Sequence, residues 1–314
     1  MPHYYQFSQP QMGTHFTFYF YSTLDSSQAK EVAQKAFDRI AELNQALSDY
    51  LPESELNLLC KQAGSGQFIP VSKDLWQVLV ASLEASELSE GAFDVSAGPL
   101  IRLWRRTRYK KQLPDSLRLS QAFEKVGYQK IELDEASRSV KLTQPDMRLD
   151  FGGIAKGYTA DQVIRVFKQH QIEAVLVDAG GDLTIAAAPP GKKGWEVTYD
   201  DLKEGSKTQQ VLLLSHCAVA TSGDLYQHVI IDGKKYSHIV NPFTGIGLTN
   251  QVTVTVVAPT GVQADWLAST ISILESKTLP HTIEKIPDTH FLILKNTEDI
   301  LTRQAKGLFE KVKN

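Results

Sequence analysis

The sequence predicts a layered mixed α/β or α+β fold rather than a Rossmann fold, and three observations predict it. Helical and strand periodicities intermix along the whole chain. They lack the regular strand–helix alternation of a doubly wound sheet. The glycine-rich turn after Asp150 also lacks the spacing of a dinucleotide fingerprint. A length of 314 residues suits about two domains or one large unit. We read 1–314 as a single domain, divisible at most into lobes of about 1–145 and 146–314.

Phe16 to Tyr21 reads as the opening strand. Ala29, Val32, Ala33, Ala36, Phe37, Ile40, Leu43 and Leu47 then mark one face of a long amphipathic helix. After a turn at Gly64-Ser65-Gly66, a second helix starts behind Ser72. Asp74 is favourable at its N-terminus, and it runs through Leu75, Leu79 and Leu83 to a stop at Gly91. Lys130 to Asp134 and Arg138 to Leu142 form a hairpin around a polar turn. Arg148 to Asp150 leads into a glycine-rich segment, followed by a helix with Val163, Ile164 and Phe167 inward. Glu173 to Val177 is a buried strand, and Trp195 to Tyr199 and Val211 to Leu214 are further strands. Val252 to Val257 alternates Val and Thr, which predicts a strand with one exposed face. A helix from about Val262 to Leu274 follows, then a strand at Phe291 to Leu294 and a C-terminal helix.

The composition, 42% hydrophobic and 22% charged, excludes disorder. A net charge of -3 excludes a global basic field for nucleic acid, so an anionic ligand must be held by local geometry. The local exception is the run Arg102, Arg105, Arg106, Arg108, Lys110 and Lys111, which is first a solvated surface, second a rim around an anionic ligand and a distant third a nucleic-acid contact. Cys60 and Cys217 stand alone and fill space, as suits a reducing compartment. No stretch is apolar enough to span a bilayer, and the first twenty residues lack a signal-peptide pattern. The expectation for the chain as given is therefore cytoplasmic, or else an exported or membrane-anchored precursor trimmed at its N-terminus.

Two distant stretches carry the chemistry. In Asp150-Phe151-Gly152-Gly153-Ile154-Ala155-Lys156-Gly157, glycines bring backbone close to a ligand and the following helix offers unpaired N–H groups to an anion. Lys156 can neutralise a phosphate and Asp150 can accept a hydrogen bond from a ligand ring; the plainer reading is a tight turn with a surface lysine. Asp265 and Ser269 are four apart and share a helix face, an oxygen pair suited to magnesium. Alternatively, Asp265 caps the helix and Ser269 bonds back to a carbonyl. Asp178-Ala179-Gly180-Gly181-Asp182 is a second acidic glycine turn, in which either aspartate serves a ligand or caps the turn. Ala220-Thr221-Ser222-Gly223-Asp224 reads as a structural turn. His238, before Asn241-Pro242-Phe243-Thr244-Gly245, is either a general base or a structural histidine.

Taken together with Met12-Gly13-Thr14, Ser54-Glu55-Leu56-Asn57 and Ala92-Phe93-Asp94-Val95-Ser96-Ala97-Gly98-Pro99-Leu100, these blocks resemble the ApbE family of FAD:protein FMN transferases over nearly the whole chain. The resemblance implies a layered ApbE-like architecture related to the T-fold. It implies a magnesium-dependent enzyme that moves FMN from FAD to a threonine hydroxyl of an acceptor protein and releases AMP. Met12, Ala92, Phe93, Asp94, Asp150 and Lys156 are then the implied FAD contacts. Asp265, the Ser269 hydroxyl and the carbonyls of Gly153 and Ala268 are the implied metal ligands, and His238 helps deprotonate the threonine. The partners implied are FAD and a protein bearing a threonine in an FMN-attachment motif. Three features depart from the family pattern, one being that the chain as given begins close to Met12 without the export signal and lipid-attachment cysteine of many relatives. Ser269 stands where threonine is usual, leaving a looser hydroxyl, and the segment after Trp104 is unusually basic, as a different acceptor surface would require. Competing readings are a magnesium-dependent FAD pyrophosphatase giving FMN and AMP, and a non-catalytic flavin-binding protein.

Overall fold

The computed structural model describes residues 1–203, 206–223, 228–274, 283, 286–297 and 300–311. The strands are β1 (His3–Gln11), β2 (Thr14–Ser22), β3 (Ile69–Pro70), β4 (Ile131–Asp134), β5 (Ser139–Leu142), β6 (Val175–Ala179), β7 (Asp182–Ile185), β8 (Trp195–Lys203), β9 (Ser206–Leu214), β10 (Cys217–Gly223), β11 (His228–Ile231), β12 (Lys234–Ser237), β13 (Val252–Ala258), β14 (His290–Thr297) and β15 (Ile300–Lys306). The helices are α1 (Ser26–Leu47), α2 (Glu55–Lys61), α3 (Lys73–Leu88), α4 (Gly98–Lys110), α5 (Ser116–Phe123), α6 (Ala155–Gln169) and α7 (Gly261–Leu274).

An eight-stranded sheet in the order β1-β2-β6-β7-β10-β13-β14-β15 forms the middle layer. Every neighbouring pair in it is antiparallel. That pattern removes the crossover helices a parallel sheet needs, and with them the Rossmann alternative. Helices lie on one face. Phe16, Phe18 and Phe20 of β2 alternate inward and pack with Phe37 of α1 and Phe167 of α6. Val252, Val254 and Val256 of β13 pack with Leu267 and Ile271 of α7. The β8–β9 ribbon covers the other face, burying Val197, Tyr199 and Leu214 against Val219, Val257 and Leu292.

The α1 prediction holds side chain by side chain: its buried residues are the eight read from periodicity, and Asp25 with Gln28 forms a capping box at its start. Four expectations change. β13 has no exposed face, because α7 covers one side and the ribbon the other. Ala220 to Gly223 is the end of strand β10, paired to β13 through Ala220↔Val256, rather than a turn; Asp224 lies outside the described residues. The C-terminal segment is strand β15 and a short 3-10 turn, not a helix. Pairing along the free edge of β14 satisfies its backbone, and Arg303 fixes it to the ribbon through two bonds to buried Asp201, at 2.7 and 3.1 Å. Finally β1, unforeseen, pairs with β2 as an exposed edge strand.

Candidate functional site

The site is built where α6 and α7 cross. At the crossing Gly157 and Gly261 touch backbone to backbone: a β-carbon on either would overlap the other's carbonyl oxygen. No larger residue brings two helix starts this close. Each start is then capped by the other helix. Asp161 of α6 accepts from Gly261 N at 2.8 Å and Val262 N at 3.1 Å, while Asp265 of α7 accepts from Gly157 N at 3.0 Å. α6 has no cap of its own. Asp265 therefore does cap a helix, but not the one that carries it.

Beside this crossing, Lys156 is held between two carboxylates. Its ammonium pairs with Asp182 and stands 4.0 Å from Asp265 Oδ1. Burial pulls its pKa down, but Asp265 and Asp182 together hold it above the ordinary lysine value. For Asp265 burial wins over the Lys156 ammonium and pushes the carboxyl up to about 6. Asp182 also accepts from Thr221 N at 3.1 Å, which ties the lysine to strand β10. Sequence reasoning left Asp182 undecided between ligand and turn cap; the turn cap is Asp178, which accepts from Gly181 N at 2.7 Å. Asp182 thus joins the candidate site through Lys156, and its only signal in the sequence is the second acidic glycine turn.

Ser269 lies one helical turn beyond Asp265. Its neighbours Thr270 and Ser272 bond back to the carbonyls of Trp266 and Ala268, both at 2.8 Å. Among the described residues the Ser269 hydroxyl makes no such bond. It faces Gly153, where a β-carbon would sit 3.2 Å from Ser269 Oγ and 3.3 Å from the Phe93 ring. The glycine lets its backbone lie against the hydroxyl with no side chain between them. Among the described residues no three His, Cys, Asp or Glu side chains gather as a metal cage. A cation here would be held by one buried carboxylate, one hydroxyl and backbone carbonyls, all hard oxygens, and that donor set fits magnesium. The Ala268 carbonyl accepts from the Ser272 hydroxyl as well as from the helical ladder of α7, so a cation taking it as a ligand would displace that hydroxyl.

The segment Ala92 to Ala97 runs alongside Arg148 to Asp150, joined by Asp150 N to Val95 O at 2.8 Å and an Ala97–Arg148 bridge. This brings Phe93 to Gly153 and within 6.1 Å of the Trp266 ring. Ala92 is buried behind it. Asp94 is occupied by backbone, accepting from Ser96 N at 2.8 Å and Tyr128 N at 3.1 Å. Met12 sits in the β1–β2 turn with φ at 50°, and its sulfur accepts from Thr159 of α6 at 3.4 Å.

Asp150 lies at the base of a cavity of about 540 Å³, together with Asp49, Tyr50, Asn57, Arg102 and Arg105. Arg105 clamps Asp49 and Asp150, the latter at 2.7 Å, and its guanidinium lies 4.4 Å from the Tyr50 ring centroid. Desolvation, aided by Asp49 and opposed by Arg105, pushes Asp150 up to about 6. Tyr50, an exposed aromatic face beside a polar cavity, offers a platform for a flat ring. Tyr50 lies outside every block singled out in the sequence, and Arg105 stands out only within the basic run read as solvated surface or as a rim around an anionic ligand.

His238 is half-buried directly after β12. The next residues turn back through Leu248 N to Ile239 O at 2.9 Å and Gly245 N to Asn241 O at 2.8 Å. The contacts of this segment run to α4, where Trp104 Nε1 donates to Ser237 O at 3.0 Å. Phe243 reaches Gly91, next to the Ala92-Phe93 turn. The structure therefore gathers Lys156, Gly153, Phe93, Asp265 and Ser269 around the crossing, with Met12 and Asp150 on its flanks and His238 on an adjoining loop.

A family model described as the ApbE family matches residues 12–293. The FAD:protein FMN transferase of Treponema pallidum is 27% identical over 308 residues, 93% of this chain and 84% of that protein. A Klebsiella pneumoniae protein of the same name is 30% identical over 244 residues, 76% of this chain and 74% of its own. The flavin transferase ApbE from Vibrio cholerae superposes with a TM-score of 0.86 at 25% identity, covering 99% of both chains. The apo form of Pseudomonas stutzeri flavinyl transferase ApbE shares the fold, with a TM-score of 0.87 at 22% identity over 99% of this chain and 97% of that one.

Proposed function

The chain belongs to the ApbE family, and from that premise we propose that it transfers the FMN half of FAD to a threonine hydroxyl of an acceptor protein, releasing AMP. The observation that carries this reading is the Lys156 ammonium held between Asp265 and Asp182, beside the Ser269 hydroxyl, which bonds to no other described residue, and the side-chain-free Gly153 backbone that faces it. A diphosphate needs that set: a fixed cation, free backbone and oxygens for a second cation.

Cutting FAD between its phosphates places negative charge on the phosphorus under attack and on the departing AMP. Lys156 offsets part of it, and its two carboxylate neighbours keep it protonated and stationary. Asp265, Ser269 and the carbonyls of Gly153 and Ala268 are the oxygens that would hold magnesium, whose chemistry is to offset charge on phosphate oxygens. Tyr50 and Arg105 offer a stacking surface and Asp150 a hydrogen-bond acceptor for a ring of the dinucleotide. His238 takes the proton of the threonine hydroxyl. The new bond joins threonine Oγ to the FMN phosphorus, and the bond from that phosphorus to the bridging oxygen breaks. AMP leaves with the electron pair, and the proton passes from His238 to solvent.

The test incubates the protein with FAD, magnesium and a threonine-bearing peptide while following AMP and peptide mass. Transfer gives AMP and a peptide heavier by FMN. AMP with an unchanged peptide means water is the acceptor and the protein is a pyrophosphatase; neither product means binding alone. His238→Ala is expected to slow transfer by about 10²-fold or more while FAD affinity stays within about twofold. Parallel weakening of FAD binding would make His238 a pocket residue instead.

A further inference from the structure

The basic run of the sequence lies on α4, and the site above uses only its inner edge. Arg105 is paired with Asp49 and Asp150. Arg106, Arg108, Lys110 and Lys111 have no carboxylate partner among the described residues, although the chain as a whole has a net charge of -3. α4 packs on the β11–β12 hairpin through Trp104, which meets Val229, Ile231 and Tyr236 in a small core. Outside that core the seam opens into a groove of about 530 Å³, lined by Arg105, Arg108, Tyr109, Lys111, His228 and Ile230. Tyr109 is 89% exposed and Ile230 61%. Lys111 ends α4 with φ at 53°, which turns the chain away at the groove's mouth.

Two contacts connect this groove to the chemistry. Arg105 lines both it and the cavity that holds Asp150. His228 pairs across the hairpin with Ser237, the residue before His238. A chain lying in the groove therefore runs along the hairpin whose second strand leads into His238, and across Arg105 it borders the dinucleotide cavity.

We propose that the groove docks the acceptor protein through a segment with acidic side chains beside the modified threonine and an apolar residue for Tyr109 and Ile230. This identifies the partner of the transfer reaction and rests on that reading. The unpartnered cations favour an anionic occupant, and the exposed aromatic and aliphatic side chains favour a peptide. A nucleic acid tracks phosphates over a wider surface, and beyond this seam the net negative chain repels it.

The experiment uses two fluorescein-labelled synthetic peptides, each with one threonine and one leucine. Glutamates flank the threonine in the first and glutamines in the second. Anisotropy reads binding to the full chain, and peptide mass reads transfer. The acidic peptide is expected to bind about tenfold tighter than the neutral one at low salt, an advantage that shrinks as salt rises. Arg108→Glu with Lys111→Glu should abolish or reverse that preference, whereas Arg108→Gln with Lys111→Gln should reduce it; the affinity for FAD should not change. Equal binding of the two peptides by the wild-type chain, or a preference that survives charge reversal, overturns the proposal. So does tight binding of a labelled single-stranded RNA that the reversal abolishes, with no discrimination between peptides. A preferred acidic peptide that never gains flavin mass despite AMP release leaves docking standing and defeats transfer. The two failures thus separate.

Discussion

The α6–α7 crossing and the α4 seam both present cations, but in opposite settings. At the crossing, Lys156 has a carboxylate on either side, and the helix starts that frame it are closed by backbone contact between glycines. On the seam, Arg108 and Lys111 stand in an open groove without a carboxylate partner among the described residues. A cation that must meet a developing charge at a fixed point benefits from being immobilised beforehand, because reorganisation during the reaction is then avoided. A cation that must attract a flexible partner acts at longer range and gains nothing from an internal carboxylate that would cancel it. On the proposed reading, the contrast separates chemistry from docking within one chain.

The comparison can be broken most severely at Asp265. Asp265→Ala removes a proposed metal oxygen, one neighbour of Lys156 and the cap of α6 at once. Magnesium-dependent AMP release is expected to fall by about 10²–10³-fold. An unchanged magnesium-dependent rate would remove the crossing from the chemistry. A smaller intervention makes Lys156 resemble the seam cations. Asp182→Asn keeps an acceptor for Thr221 N but removes the negative charge that fixes the ammonium. kcat/KM for FAD should drop about tenfold with the melting temperature nearly unchanged. No kinetic change would mean that Asp265 alone positions the lysine.

The smallest effect probes the cost of charge at the crossing. Burial pushes Asp161 up to about 6. An unfolded aspartate titrates near 3.9, so between about pH 4 and 6 the folded chain binds more protons and stability falls as pH rises. Asp161→Asn removes that titration and should flatten the decline by roughly 1–3 kcal/mol. Denaturant midpoints at several pH values read it; an unaltered slope would show that Asp161 does not carry the proton.

Legibility followed the range of the forces involved. α1 was readable because its eight buried residues depend only on helical period and one apolar neighbour layer. The glycine turns at Gly152-Gly153 and Gly180-Gly181 were visible as local exceptions to ordinary backbone. β15 was not, since its residues form a strand only because β14 offers an edge and Asp201 a partner. The exposed alternation of β1 gave no hydrophobic signal, and the two-sided burial of β13 required knowing that the β8–β9 ribbon returns over it. In the site, Lys156, Asp265 and Ser269 were marked by motif and do converge, but the exchange of caps between α6 and α7 spans about 100 residues and leaves no trace in either local pattern. Asp182 and Tyr50 were obscured similarly, one by a turn that explained it too easily and the other by lying outside any recognised block.

The exchanged caps have a dynamic corollary. The amides of Gly157 and Gly261 are each closed by a side chain rooted in the opposite helix, so exposing either to solvent loosens the frame that holds the other. Deuterium should therefore enter both sites through one cooperative event rather than by independent fraying, and the first turns of two sequence-distant helices would behave as a single foldon.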